Sequence, residues 1–123
     1  MGHVYHDVTV SASKSKKVRM FVDTGASYSI LPPSLAKEVG LSGLKRRLKV
    51  TLANSFVVTM RVGTAFFKVL GREAPATVLV GKVDEPILGA ETLESLGLAV
   101  DPSSGKLKTT RTWTVRVGPV VHH

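Results

Sequence analysis

A chain of 123 residues with 43% hydrophobic side chains has the size of one domain and enough apolar material for one core. It contains no cysteine, which excludes disulfides, thiol nucleophiles and thiolate metal sites and fits a reducing compartment. The 17 basic and 9 acidic side chains give a net charge of +8, but the basic residues are scattered and lack interleaved aromatics, so a solvated basic surface is expected rather than a nucleic-acid partner.

Val4, His6, Val8 and Val10 alternate with Tyr5, Asp7 and Thr9, the period of a half-buried strand. Ser11 to Lys16 is small and polar and predicts a turn, after which Val18 to Val22 closes a hairpin and runs into Asp23-Thr24-Gly25. Pro32-Pro33-Ser34 marks a break and a helix start, because proline is tolerated where the first N–H has no partner. Leu35, Ala36 and Val39 then predict one or two helical turns ended by Gly40. Leu48 to Val62 predicts a β-hairpin with Ala53-Asn54-Ser55 at its tip. Further strands are expected at Ala65 to Leu70 and Ala76 to Val80, separated by Gly71-Arg72-Glu73-Ala74-Pro75. Pro86-Ile87-Leu88-Gly89 leads into a second helix over Ala90 to Leu96, where Leu93 and Leu96 share a face and Gly97 is the stop. Leu98 to Val100 is a short strand, Asp101-Pro102-Ser103-Ser104-Gly105 a turn, and extended structure resumes near Leu107 and again over Thr112 to Val117. Many short strands with two short helices predict a mainly-β barrel or sandwich. One domain over residues 1–121 is expected, with His122-His123 a tag remnant outside it.

No apolar run approaches the ~18 residues needed to cross a bilayer. The N-terminal segment lacks the basic start and apolar stretch of a secretory signal, so a soluble cytoplasmic protein with no membrane partner is expected. His3 and His6 fall on opposite faces of an alternating strand and cannot easily share a metal, and no metal or cofactor is expected. Ser27 and Ser29 have no histidine placed to act as base, which argues against a serine hydrolase. Lys45-Arg46-Arg47 reads as a solvated loop, and Tyr5 and Trp113 as core or interface aromatics.

The chemistry-bearing segment is Asp23-Thr24-Gly25. A strand delivers a carboxylate to a tight turn, Gly25 allows close approach, and the Thr24 hydroxyl can lock the turn onto backbone. Two such carboxylates held about 3 Å apart share a proton, so one serves as base and the other as acid. Apolar Met20, Phe21 and Val22 precede the segment; Ala26-Ser27 and Ile30-Leu31 follow it; Ile87-Leu88-Gly89 and a helix stand far downstream. In this order the residues from Val18 to Leu107 resemble the retropepsin-like aspartic proteases, the single-lobed family of retroviral and retrotransposon enzymes.

That resemblance implies a closed or partly open β-barrel of the acid-protease type with one or two short helices, assembled as a homodimer. It implies an endopeptidase acting on polypeptides, with Asp23 catalytic and Thr24, Gly25 and Ala26 in the active-site turn. Thr24 would join hydrogen bonds across the dimer, Ala53, Asn54 and Ser55 would form a flap, and Ile87, Leu88 and Gly89 would support the site from beneath. In retroviral members an acidic residue follows the alanine and an arginine follows the downstream glycine; here Ser27 and Ala90 stand instead, so that ion pair is absent. The flap tip is not glycine-rich, and Asn54 is expected to take its unusual turn conformation. Ala26 replaces the hydroxyl residue usual in pepsin-like enzymes, which implies a milder acidic optimum.

Asp7, Asp84-Glu85 and Asp101 lack the setting for the second carboxylate. The arithmetic therefore gives a symmetric dimer with each Asp23 meeting its twin. The pocket walls are expected from Ala26 to Ile30, the flap strands and Val83 to Leu88, with Tyr28 and Phe56 contributing and apolar residues preferred at the cut. The competing readings are a catalytically silent binding or dimerisation module of the same fold, and a basic nucleic-acid-binding β domain.

Overall fold

The computed structural model describes residues 3–110. Strand β1 (Tyr5–Ser11) turns back into β2 (Ser15–Val22) in antiparallel register, with Val8 opposite Val18. Val8, Val10, Met20 and Val22 are buried while Asp7, Lys17 and Arg19 are exposed, as a strand with one face on a core requires. The Tyr5 hydroxyl donates to Glu85 at 3.1 Å, and this bond, with some burial and the carboxylate's charge, holds the phenol above its ordinary value. His3 and Tyr5 both pack on the Phe21 ring.

After β2 come β3 (Ser29–Leu31), α1 (Pro33–Glu38), β4 (Arg46–Thr51), β5 (Val57–Val69) and β6 (Arg72–Val80). They are followed by β7 (Ile87–Leu88), α2 (Ala90–Leu96), β8 (Leu98–Val100) and β9 (Leu107–Thr109). The main sheet runs β1-β2-β7-β3-β6-β5-β4, and a pairing of β1 with β5, Val10 opposite Phe67, closes the first six of these strands into a ring. Strand β4 stays outside that ring, a free edge among the described residues, and β8 and β9 form a separate ribbon.

The helices end as the sequence predicts: Gly40 follows α1 at φ 73°, and Gly97 caps α2 in the left-handed conformation at φ 67°. Other expectations are corrected. The predicted break between Val62 and Ala65 does not exist, and β5 is continuous. Gly63 is there for space, because a Cβ would lie 2.5 Å from Leu44 Cδ2. Strand β6 begins at Arg72, so the separator shrinks to Leu70-Gly71, both at positive φ (53° and 78°), the two-residue turn that suits hairpin twist. Pro75 is tolerated because β6 meets β3 only over Val78–Val80, leaving one side of the strand free at Pro75. Arg46 and Arg47 are strand residues, not loop. The sequence reading assigned no strand to Ser29–Leu31 or Ile87–Leu88. The expected strand over Thr112 to Val117, with Trp113, Arg111 and Arg116, and His122-His123 lie outside the described residues.

The principal core gathers Met20, Leu31, Phe67, Leu88, Leu96 and the buried valines of β1, β5 and β6 between the ring and both helices. Each large side chain so buried contributes roughly 1.5–3 kcal/mol. A second cluster, Ile30, Met60 and Leu79, packs against Val50, Leu52, Val58, Val62 and Ile87. It seats the β4–β5 hairpin on the strands that carry the Asp23 turn. No helix among the described residues is long and apolar enough to cross a membrane.

Candidate active site

Strand β7 explains where Asp23 stands. It lies between β2 and β3, parallel to the first (Val22 opposite Leu88) and antiparallel to the second (Ile30 opposite Ile87). The chain leaving β2 must therefore pass over the end of β7 to reach β3, and residues 23–28 make that crossing. Its start is fixed by Asp23 N–H donating to Leu88 O at 3.0 Å. Within the turn, Ala26 N–H donates to Asp23 O at 3.1 Å and Gly25 N–H to Asp23 Oδ1 at 3.0 Å. The lock thus comes from main-chain donors and the aspartate itself. Thr24, expected to supply it, is exposed and makes no hydrogen bond through its hydroxyl among the described residues.

The far end of the turn is tied to the segment after β7. Ala90 N–H donates to Ala26 O at 2.8 Å and Glu91 N–H to Ser27 O at 3.0 Å. Neither Ser27 nor Ala90 can form the ion pair that the sequence resemblance raised, and main-chain bonds join these two segments instead. Gly89 packs so closely that a Cβ would lie 2.5 Å from Tyr28 C and O. Its N–H donates to Ser29 Oγ at 3.0 Å, and Ser29 Oγ meets Thr92 Oγ1 at 2.5 Å, with both side chains wholly buried. Ser29 can accept from Gly89 and still donate to Thr92, so the buried hydroxyls are satisfied. Glu91 reaches the neighbouring strand, accepting from Thr77 N–H at 2.8 Å. Ile87, Leu88 and Gly89 thus lie beneath the turn and in contact with it.

Above the turn opens a cleft of about 610 Å³. Asp23, Gly25, Ala26, Ser27, Tyr28 and Ile30 line one side, with Ile87 and Leu79, and the unbroken run Leu48 to Ala53 lines the other. Consecutive residues can all face one cavity only if a strand's edge, not one of its faces, forms the wall; β4 is that free edge. At the hairpin tip Leu52 N–H donates to Phe56 O at 2.8 Å and Ser55 N–H to Leu52 O at 2.9 Å. Asn54 does not take the left-handed conformation. Ser55 does, at φ 71°, while Asn54 Oδ1 accepts the Phe56 N–H at 3.0 Å.

The structure brings Asp23, Gly25, Ala26, Tyr28, Ile87 and Ala53 to one cleft, but Asn54 and Ser55 form the tip and do not line it. Phe56, expected in the wall, is 69% exposed and stands away from it, and Val83 packs in the second cluster instead. Sequence reasoning missed Leu79 and the Ser29–Thr92 pair, and named the hairpin strands as walls without singling out Lys49. The alternation of Leu48, Val50 and Leu52 placed the strand but not its edge. No three His, Cys, Asp or Glu side chains among the described residues are grouped to hold a metal ion.

A family model described as gag-polyprotein putative aspartyl protease matches residues 8–95, a span that contains the Asp23 turn, the hairpin and Ile87-Leu88-Gly89. No curated protein is a significant match to the chain.

Proposed function

Because the chain belongs to the retropepsin-like aspartic proteases, we propose that it is an endopeptidase built from residues 1–121 as one domain and active as a homodimer, with Asp23 of each subunit forming the catalytic pair. The observation that carries this reading is the Asp23 carboxylate beside a cleft whose opposite wall is a free strand edge. An extended peptide can pair with such an edge through its backbone, so the wall holds polypeptide without fixing its sequence. Thr24, exposed and without a hydroxyl partner among the described residues, is available to a second turn. Tyr28, Leu48, Phe56 and Val57 leave apolar surface open on the turn and hairpin for a peptide or a second subunit to cover.

In the reaction, one Asp23 carboxylate takes a proton from water as the water oxygen bonds to the peptide carbonyl carbon. The protonated Asp23 of the other subunit gives its proton to the carbonyl oxygen. The diol then collapses: the first Asp23 gives the proton it took from water to the nitrogen as the C–N bond breaks, a diol hydroxyl returns a proton to the second Asp23, and the amine and carboxylic acid products form. The hairpin keeps bulk water from the reacting atoms.

The test combines sedimentation with proteolysis. The purified chain sediments as a dimer and cleaves an unfolded protein at mildly acidic pH, and a statine-type inhibitor blocks cleavage. Asp23→Asn keeps the melting behaviour and loses cleavage. Cleavage that survives Asp23→Asn overturns the assignment, and full activity in a monomer overturns the dimer.

A further inference from the structure

Part of the charge left over by the fold stands on the hairpin beside the cleft. Between Glu38 and Glu73 the chain has no acidic residue, yet it carries Lys45 just before β4 and Arg46, Arg47, Lys49 and Arg61 on the β4–β5 hairpin. The ion pairs of Lys16 with Glu38 and Lys17 with Asp7 leave all five out. Arg47 stands directly opposite Arg61 and Lys49 opposite Thr59. Side chains alternate along β4, so Arg47 and Lys49 share one face with Arg61. Val50, Met60 and Val58 occupy the other face, in the second hydrophobic cluster. Like charges opposed across a strand pair weaken the hairpin, and nothing in the described fold offsets them. Arg61 further lines a second cleft of about 460 Å³ together with Lys37, and no acidic residue lines it. Lys49 also lines the cleft that holds Asp23.

We infer that the hairpin selects acidic polypeptide segments as substrate. The inference rests on the proposed peptidase reading and adds the substrate class. A peptide paired along the free edge of β4 places alternate side chains on the two faces of the sheet. One set meets the apolar face of Val50 and Ile30; the other lies beside Arg47 and Lys49. The preferred segment therefore alternates apolar residues with Glu or Asp. A pair of exposed opposite charges is worth up to about fivefold in equilibrium and about twofold in mid-range, so a segment with two outward acidic residues gains roughly fivefold over its neutral counterpart at low salt.

Binding tests this separately from cleavage. Fluorescein-labelled extended peptides with apolar residues alternating with Glu, Gln or Lys are titrated onto the Asp23→Asn chain and followed by anisotropy. The Glu peptides bind about fivefold tighter than the Gln peptides at low salt and converge with them at about 0.5 M salt, where the screening length falls to a few ångströms. In the Arg47→Glu/Lys49→Glu variant the Lys peptides become the tighter ligands. Arg47→Gln/Lys49→Gln, which removes charge with little change in shape, binds Glu and Gln peptides alike, and both variants are checked by their melting curves. Equal binding of Glu and Gln peptides, a preference that survives high salt, or one unchanged by Arg47→Gln/Lys49→Gln overturns the inference. Steeply salt-dependent binding of a single-stranded RNA oligonucleotide without discrimination among the peptides also overturns it, in favour of a nucleic-acid face. Cleavage by the unmutated chain is read on the same peptides: discrimination without any cleavage refutes the peptidase reading alone, and cleavage without discrimination refutes the acidic preference alone.

Discussion

Gly89→Ala adds one methyl group where the Asp23 turn crosses the end of β7. The added carbon would lie 2.5 Å from Tyr28 C and O and 2.9 Å from Ser29 N. Non-bonded carbons settle at about 3.5–4.0 Å, so the overlap is roughly 1 Å against atoms of another backbone. Those atoms cannot swing away as a side-chain tip would: Ile30 is in register with Ile87, and Gly89 N–H is bonded to Ser29 Oγ. The conformation itself, φ −97° and ψ 178°, is extended and open to alanine, so the cost is one of space alone. Overfilling a packed site costs about 1–3 kcal/mol, and rigid backbone puts this case near 3 kcal/mol. For a domain of this size that lowers Tm by roughly 10 °C or more. Gly43→Ala is the counterpart, with nothing within 4 Å of the added carbon but φ at 71°. Left-handed backbone costs a non-glycine residue about 1–2 kcal/mol, so its melting shift is the smaller. Circular-dichroism melts of both variants, with cleavage measured on each, decide the matter. If Gly89→Ala melts within about 3 °C of the parent, or higher than Gly43→Ala, the steric argument for the turn's support is wrong.

Ser29→Ala removes the acceptor of Gly89 N–H and strands the buried Thr92 hydroxyl, and urea unfolding should show a loss of about 1–3 kcal/mol. Adding Thr92→Val removes the stranded group, so the double variant is expected to lose less than the sum of the singles. The Ser103 N–H and hydroxyl hold the Asp101 carboxyl below its ordinary value of 3.8. A depressed folded-state value means stability present above the unfolded carboxylate range and lost as pH falls through the folded value. Asp101→Ala therefore lowers Tm at neutral pH, with the gap narrowing below about pH 4, whereas a gap constant from neutral to strong acid contradicts this role. A carboxylate pair sharing one proton gives a bell-shaped dependence of kcat/KM on pH with an acidic maximum, milder than in enzymes with a hydroxyl residue at the position of Ala26. A rate flat from about pH 3 to pH 9 excludes the pair.

Much of the architecture is written in local pattern. The alternation of Val8 and Val10 against Thr9, the prolines before α1 and the glycines after both helices fix elements that the fold retains. What escaped was set by contacts distant in sequence. Ser29–Leu31 and Ile87–Leu88 are too short for a period to declare itself, and they become strands because β7 inserts between β2 and β3. Gly63 carries the composition of a break, but its reason is the approach of Leu44 from another segment. The same holds at the site. Asp23-Thr24-Gly25 is legible because turn chemistry is local. Ser29 and Thr92 are 63 residues apart and read as unremarkable polar positions until the fold buries them together. The hairpin was visible, while the cleft's use of an edge rather than a face depended on which of its strands the sheet left unpaired.

The floor and the roof of the cleft are held by different means, and this divides their roles. The floor is bonded to chain far away in sequence at both ends: Asp23 to Leu88, Ala26 to Ala90, Ser27 to Glu91 and Ser29 to Gly89. The position of the Asp23 carboxylate therefore depends on the packing of β7 and α2, whose Leu88, Leu93 and Leu96 lie in the main core. Moving that carboxylate requires disturbing the core, so errors in the floor cost stability and chemistry together. The roof pairs with β5 along one side only, seats a few partly buried side chains in the small second cluster, and leaves Leu48, Phe56 and Val57 exposed. A segment with so few buried contacts opens at a fraction of the global unfolding cost. On the proposed reading it parts to admit a chain and recloses while the floor stays fixed. The uncompensated charge of Arg47 and Lys49 stands on this element, with Arg61 opposite on the ring strand β5; on the proposed reading it biases which chain is admitted without straining the turn that carries Asp23.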